Sequence, residues 1–217
     1  HQLQTLTIEG ASPLLKDEIR LHFSDLLPIS ALELDFENMR GWIESIASVE
    51  RATLITSEGG LLSVQVTEIE PEFMWRNAVG LHLVSSTGEL LRSISRRSDF
   101  PHLPLIAGNG AALALEEARE LIMTAAPISN RLRGLVRIGE RRWDLLLSNN
   151  QIISLPEENP ELILAQVIVL SMAHDLFERD IILMDFRNPR RPTLRLRSQA
   201  LVGLKQAKSV TFMEIAK

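Results

Sequence analysis

The chain has 217 residues, with 23 Lys plus Arg against 28 Asp plus Glu, a formal net charge of −5 and an apolar content of 45%. That is enough chain for one large core or two modest ones, and mild acidity with scattered arginines argues against a nucleic-acid binder, which normally shows a basic face or stripe. With no cysteine, disulfides, thiol catalysis and thiolate metal sites are excluded together, and no redox compartment is implied. The first residue is His1, which reads as a trimmed N-terminus that a signal or anchor segment can precede. The most apolar window, Leu162 to Ala173, carries Gln166 and Ser171; it is too short to span a bilayer and suits a buried helix.

In chain order, Leu3 to Ile8 alternates and ends at Gly10, predicting a short strand. Ser12 before Pro13 is an N-cap with proline at the first helical position. Leu15, Ile19 and Phe23 then recur at helical spacing. Asp35 caps a second helix whose Phe36, Met39, Ile43 and Ile46 form an apolar stripe flanked by Trp42. Val49 to Ile55 and Leu61 to Glu68 read as strands joined by the hairpin turn Ser57-Glu-Gly-Gly60. This β-α-α-β-β order is a complete small α+β unit with a boundary near Glu70-Pro71.

Beyond it, Glu72 to Trp75, Gly80 to Ser85 and Glu89 to Ile94 read as short strands, and Arg96 to Pro104 as a charged loop. Ala107-Gly-Asn-Gly110 is a turn that lacks the spacing and lysine of a phosphate-binding loop. Ala114 to Ala126 reads as a helix with Ala118, Leu121, Ile122 and Ala125 on one face, stopping at Pro127. A meander follows, Leu132 to Ile138, Arg142 to Leu147 and Ile152 to Leu155, with Asn149-Asn150 as its last tight turn. Asn159 and Pro160 cap a long helix, Glu161 to Phe177. Apolar almost all round, it is expected to lie between the sheet and other packed material. Ser198 to Ala207 continues as a short helix.

Catalytic constellations are absent. Histidines at 1, 22, 82, 102 and 174 form no ligand pair with metal spacing. No Gly-x-Ser-x-Gly or Ser-x-x-Lys occurs. Glu116-Glu117 and Glu157-Glu158 sit at helix starts, where the dipole favours negative charge. The expectation is a protein that is not an enzyme and uses no cofactor or metal.

The most informative stretch runs from Arg179 to Arg197, two strands joined by a proline-bounded turn. Asp180 to Phe186 is an almost continuous apolar run, predicting a strand covered on both faces. After Pro192 the pattern alternates: Leu194 and Leu196 point one way, Thr193, Arg195 and Arg197 the other. A half-apolar strand behind a proline suits a sheet edge. Such an edge leaves N–H and C=O groups unpaired from Thr193 to Arg197. Arginines there discourage random pairing, yet the same arrangement accepts one chosen acidic strand. A charge-protected terminal hairpin and a docking edge both fit. Arg187, Arg190, Arg191, Arg195 and Arg197 form a basic surface, to which Arg141 or Arg142 adds; Trp143 is expected in the core, opposite Arg142.

The order of motifs resembles the FtsQ (DivIB) family of bacterial cell-division proteins from about Leu3 to Ala200. The first unit looks like a POTRA domain: Ile8-Glu9-Gly10, then Val49-x-x-Ala52-x-Leu54, then Val64-Gln-Val-Thr-Glu68, with Pro71 and Trp75 at the junction. The second resembles that family's β domain: Gly88, Leu103-Pro-Leu-Ile-Ala-Gly108, Arg141-Arg-Trp-Asp-Leu145, Leu155-Pro-Glu157, Met184-Asp-Phe-Arg187 and Arg191-Pro-Thr-Leu-Arg-Leu196. The Arg-Arg-Trp and Arg-Pro-x-x-Arg-Leu versions look alphaproteobacterial. Departures are Ile69 where the family often has arginine, Ser57-Glu-Gly-Gly60 in place of a proline, and Asn188 and about Leu196 at positions aromatic in some members.

The resemblance implies an α+β chain: a POTRA domain over residues 1–71, then a larger β domain over 72–217, its mixed or antiparallel sheet flanked by helices and ending in an edge strand and tail. It implies a scaffold without catalytic activity, the periplasmic part of a single-pass inner-membrane protein enriched at the septum. FtsB and FtsL are the implied partners of the β domain, with FtsK, FtsW and FtsI as further ones. In the family, FtsB adds a strand to the last strand and lies against the preceding long helix. Carried over, this marks Arg187, Arg191, Thr193, Leu194, Arg195, Leu196 and Arg197, with a second partner surface around Arg51 and Leu54. The alternative is a POTRA-bearing assembly factor for envelope proteins, which predicts tandem units and a barrel.

Overall fold

The computed structural model describes residues 2–24, 29–30, 34–57 and 59–197. The helix expected from Ser198 to Ala207 lies outside the described residues, as does Glu58 of the expected Ser57–Gly60 turn.

Two strands open the chain, β1 (Gln2–Leu3) and β2 (Thr5–Glu9). Unbroken alternation would place Leu3 and Ile8 on opposite faces; the interruption at Gln4 instead lets both be buried. In α1 (Pro13–Ser24), Leu15, Ile19 and Phe23 are fully buried, as their spacing predicts. Ser12, just before the helix, donates its N–H and Oγ–H to the two oxygens of Glu68 at 2.7 and 3.1 Å. β3 (Ile29–Ser30) pairs with β1. Asp35 caps α2 (Phe36–Glu44) by accepting the Asn38 N–H at 3.0 Å. β4 (Val49–Ser57) and β5 (Leu61–Glu68) form the expected hairpin, and β2 joins β5 in parallel, giving the order β2-β5-β4. Leu62, Val64, Val66 and Ala52 meet the two helices in one core.

The remaining elements are β6 (Phe73–Arg76), β7 (Leu81–Val84), β8 (Leu90–Ile94), β9 (Leu105–Ala107), α3 (Leu115–Thr124), β10 (Leu132–Ile138), β11 (Arg142–Leu147), β12 (Ile152–Ser154), α4 (Pro160–Ala173), β13 (Ile181–Asp185) and β14 (Thr193–Leu196). They build one nine-stranded mixed sheet in the order β14-β13-β12-β11-β10-β9-β6-β7-β8. Sequence periodicity does not anticipate β9. It pairs in parallel with both β6 and β10 and so joins the first three strands to the last five. The chain leaves β9 through Gly108, at φ +94°, where an added Cβ would lie 2.3 Å from the Arg137 carbonyl oxygen; only glycine fits.

Two crossovers fix the layers. β9-α3-β10 and β12-α4-β13 each return to a neighbouring parallel strand, step the same way along the sheet, and start from strands of the same direction. Right-handed connection therefore puts both helices on one face. They bury Trp143, Leu145, Leu147, Ile153, Leu164 and Met184 with Phe73 and Leu121. Trp143 is fully buried. Its Nε1–H donates to Glu117 of α3 at 3.0 Å, and Arg137 pairs with the same carboxylate while lying 5.0 Å from the indole centroid. Glu117 thus anchors a side-chain network besides facing the helix dipole. On the opposite face, the 96–104 loop covers only β6 to β9, through a smaller core containing Met74, Leu83, Leu91 and Leu103.

Two expectations are corrected here. β13 is not covered on both faces: Ile181 and Met184 are buried, whereas Ile182 and Leu183 are only partly so, because both crossover helices lie on one side. The long helix ends at Ala173, and Phe177 belongs to a separate 3₁₀ turn, Leu176–Glu178. It packs on the sheet through Leu164, Val167, Ile168 and Ser171, but its outward side is uncovered among the described residues, with Leu162 59% and Val169 69% exposed. No described helix is long and apolar enough to cross a membrane.

The entry to β6 is tied to α3 by Arg119, whose Nε and Nη2 each donate to Glu72 at 2.7 Å, while Glu116 and the Ser86 carbonyl take its other hydrogens. Those hydrogen bonds hold the Glu72 carboxyl below its usual range, outweighing partial burial. A carboxylate depressed in the folded state stabilises above its unfolded pKa, about 4.3 for glutamate, and that contribution fades as pH falls through the folded value. Arg119→Met is expected to lower the thermal midpoint at neutral pH, and the gap from wild type should narrow as calorimetry is carried below about pH 4. A gap independent of pH would contradict this account of the tie.

Candidate partner-binding edge

β14 is the terminal strand of the large sheet, paired only with β13 among the described residues. Its backbone groups alternate in direction, and two hydrogen bonds set the parity. The Phe186 N–H donates to Ser154 of β12 at 2.9 Å, so the peptide groups of Asp185 point the other way, toward β14 and its register partner Thr193. At the far end the Arg197 N–H donates back to the Asp180 carbonyl at 2.8 Å. The one register shift lies on β13, between Ile181 and Leu183, and leaves the alternation of β14 intact. Thr193, Arg195 and Arg197 therefore face inward, and the N–H and C=O of Leu194 and Leu196 face outward. Within the edge strand expected from Thr193 to Arg197, it is these two residues whose backbone groups face out.

Side chains approach two other sheet edges. On β4, the outward Ala52 N–H is taken by Glu44 of α2 at 3.0 Å. The β8 boundary turns toward α1, where Arg92 meets Glu18 at 3.4 Å.

The turn into β14 carries the cations. Asn188 organises it, its Oδ1 accepting the Arg190 N–H at 3.2 Å and its carbonyl the Arg191 N–H at 3.0 Å. Arg190, Arg191 and Arg195 are exposed, without a side-chain partner among the described residues. Arg187 is different. It bonds to Asp185, which holds that carboxyl below its usual range, and Arg187 itself is pushed up by the same carboxylate. Arg197 donates to the Asn149 carbonyl at 3.0 Å.

Strand register places Asp144, Ser154, Asp185 and Thr193 in one row on the face away from the helices. Arg142 pairs with Asp144 in that row at 2.5 Å, and Arg141 reaches Glu157 at 3.2 Å. Leu194 stands opposite Met184, which Ser171 of α4 contacts at 3.8 Å, so it projects on the helix face, beside α4. It is 48% exposed, next to the bare outer side of that helix. Leu196 is partly buried against the core.

Arg51 and Leu54 lie on β4, in the other sheet. Arg51 is exposed on the face away from α1 and α2, and Leu54 packs partly on the core. The structure does not bring these two together on one surface. His22 stacks on Trp42 at 3.5 Å between centroids, buried His82 bridges Ser93 and Asn77, and no group of metal-ligating side chains occurs among the described residues. Sequence reasoning quoted Asp144 and Asp185 only within motifs and gave them no role at the site. The available signal was spacing: Arg142 with Asp144 and Asp185 with Arg187 are each two apart, hence on one side of an extended chain.

Proline substitution reads the parity directly. Leu194→Pro removes a donor that has no partner among the described residues and is expected to change urea-derived stability by no more than about 0.5 kcal/mol. Arg195→Pro breaks an inward ladder bond and should cost about 1–3 kcal/mol. Equal losses would contradict the assignment.

Comparison of the sequence with known proteins points to a family. The family description "Cell division protein FtsQ/DivIB, C-terminal" matches residues 73–187, from the first residue of β6 through Arg187. Cell division protein FtsQ of Cereibacter sphaeroides is 43% identical over 205 residues, 94% of this chain and 67% of that protein. That of Paracoccus denitrificans is 41% identical over 206 residues, 95% of this chain and 61% of the relative. That of Roseobacter litoralis is 39% identical over 198 residues, 91% and 68%. The chain spans about two thirds of the length of these alphaproteobacterial relatives. Similarity over nearly all of the chain, both sheets included, makes it a member of the FtsQ/DivIB family of bacterial cell-division proteins.

Proposed function

We propose that this chain is the periplasmic part of a non-catalytic divisome scaffold, held in the inner membrane at the septum by one helix preceding residue 1. In this reading residues 1–71 are a POTRA domain and 72–217 a β domain whose last strand captures an extended acidic segment of FtsB. FtsL follows with FtsB, and FtsW and FtsI, the septal peptidoglycan synthase pair, are reached through them; FtsK is a further partner. The exposed face of β4 at Arg51 serves recruitment, while Leu54, on the other face, packs partly on the core.

The observation that carries the reading is the pair of peptide groups at Leu194 and Leu196 with no partner among the described residues, bordered by exposed Arg190, Arg191 and Arg195. An incoming strand there gains main-chain hydrogen bonds, which are indifferent to sequence, and meets cations that favour an acidic one. The uncovered side of α4 beside Leu194 offers apolar surface to the residues flanking that strand, which fits a partner lying along this helix. Arg187 and Arg191 stand at the entrance to the strand and Arg195 along it.

A synthetic peptide carrying the acidic strand of FtsB from the same organism tests this by calorimetric titration. Wild-type protein is expected to bind it, and Leu194→Pro, which leaves the fold intact, to abolish binding. Raising ionic strength from about 0.1 M to about 1 M shortens the Debye length from about 10 to about 3 Å and should weaken the complex severalfold. Unchanged affinity in Leu194→Pro would reject the edge as the docking site.

A further inference from the structure

The Asp185 carboxylate accepts from Arg187 at the backbone N–H (3.1 Å), at Nε (2.9 and 3.1 Å) and at Nη2 (2.6 Å). This is side-on attachment. A guanidinium carries five N–H donors in a rigid planar fork. Side-on contact occupies Nε and one Nη2 hydrogen, and the opposite edge, formed by Nη1 and the remaining Nη2 hydrogen, has no hydrogen-bond partner among the described residues. The two members are unequally exposed, Asp185 at 15% and Arg187 at 56%. The acid is seated in the sheet and the cation projects from it.

The surroundings keep both charges in place. Asp185 stands opposite Thr193, the first residue of β14, so Arg187 lies at the mouth of the hairpin. Asp144, two strands away in the same row, adds attraction for Arg187, and Arg142 adds attraction for Asp185. Arg142 is itself engaged by Asp144. Of the two arginines on this row, Arg187 is the one that projects to solvent.

We infer that Asp185 is a positioning residue for partner capture: it clamps the side-on edge of Arg187 so that the free edge meets a carboxylate on a strand arriving along β14. The inference rests on the strand-addition reading above. The carboxylate needs no proton exchange, since an arginine can bridge two carboxylates with separate edges of one fork. A lysine in place of Arg187 has no edge to be held.

Simple charge counting makes the opposite forecast, which sharpens the test. Asp185→Asn adds one positive charge to the site, and long-range attraction alone would tighten an acidic peptide. The positioning role instead predicts weaker binding. With the same FtsB-derived peptide, Arg187→Ala is expected to weaken binding about fivefold, the scale of an exposed ion pair, and Asp185→Asn to reproduce most of that loss. In an Arg187→Lys background, Asp185→Asn should change nothing further, a cycle that a merely structural role of Asp185 would not satisfy. Thermal midpoints of all variants are taken alongside. Tighter or unchanged binding by Asp185→Asn, or an equal loss in the lysine background, overturns the inference even when wild type binds and Leu194→Pro does not. Failure of wild type to bind the peptide at all overturns this inference and the docking edge together.

Discussion

Peptide groups along an extended strand point alternately to its two sides, so a sheet that ends on a strand leaves every second N–H and C=O of that strand without an internal partner. In this protein the constraint falls on β14. Thr193, Arg195 and Arg197 spend their peptide groups on β13, and Leu194 and Leu196 keep theirs facing out. At two other sheet edges side chains intervene, Glu44 on the Ala52 amide of β4 and Arg92 of β8 paired with Glu18 of α1. β14 combines its outward backbone groups with the exposed Arg190, Arg191 and Arg195 beside them.

The fold explains why this edge is exposed and why it is flanked as it is. Two crossovers of one hand and one direction place α3 and α4 on the same face. That leaves the outer face of β11 to β14 to a row of paired charges, Arg142 with Asp144 and Asp185 with Arg187. It leaves α4 packed on one side only, its Leu162 and Val169 turned away from the sheet. Backbone donors, apolar helix surface and projecting arginines consequently meet at one end of the sheet. Deep in the same sheet, buried Trp143 and its Glu117–Arg137 neighbours hold β10, β11 and α3 together. This end of the sheet can thus stay open without loosening the core.

Much of this was legible from local pattern. The four-residue spacing of Leu15, Ile19 and Phe23, the Asp35 cap and the Asn149-Asn150 turn each specify their element by short-range chemistry, and each is found. The last strand and its edge position followed from Pro192 and alternation. β9 was not legible: three residues, Leu105 to Ala107, carry too little periodicity, and their role comes from parallel pairing with strands distant in sequence. Composition also misjudged α4. An all-round apolar helix reads as buried on every side, yet the described residues supply cover on one side only, and a pattern cannot say which surface a second molecule completes. Asp185 was read as part of a motif but given no role, because its spacing to Arg187 was not read as a shared face.

The most direct measurement of the central claim is residue-resolved amide hydrogen exchange with and without the acidic FtsB-derived peptide. In the free protein the amides of Leu194 and Leu196 should exchange rapidly, those of Arg195 and Arg197 slowly, and the peptide should slow Leu194 and Leu196 selectively. Slow exchange at Leu194 and Leu196 before any peptide is added, or no protection there once it is bound, would contradict the account.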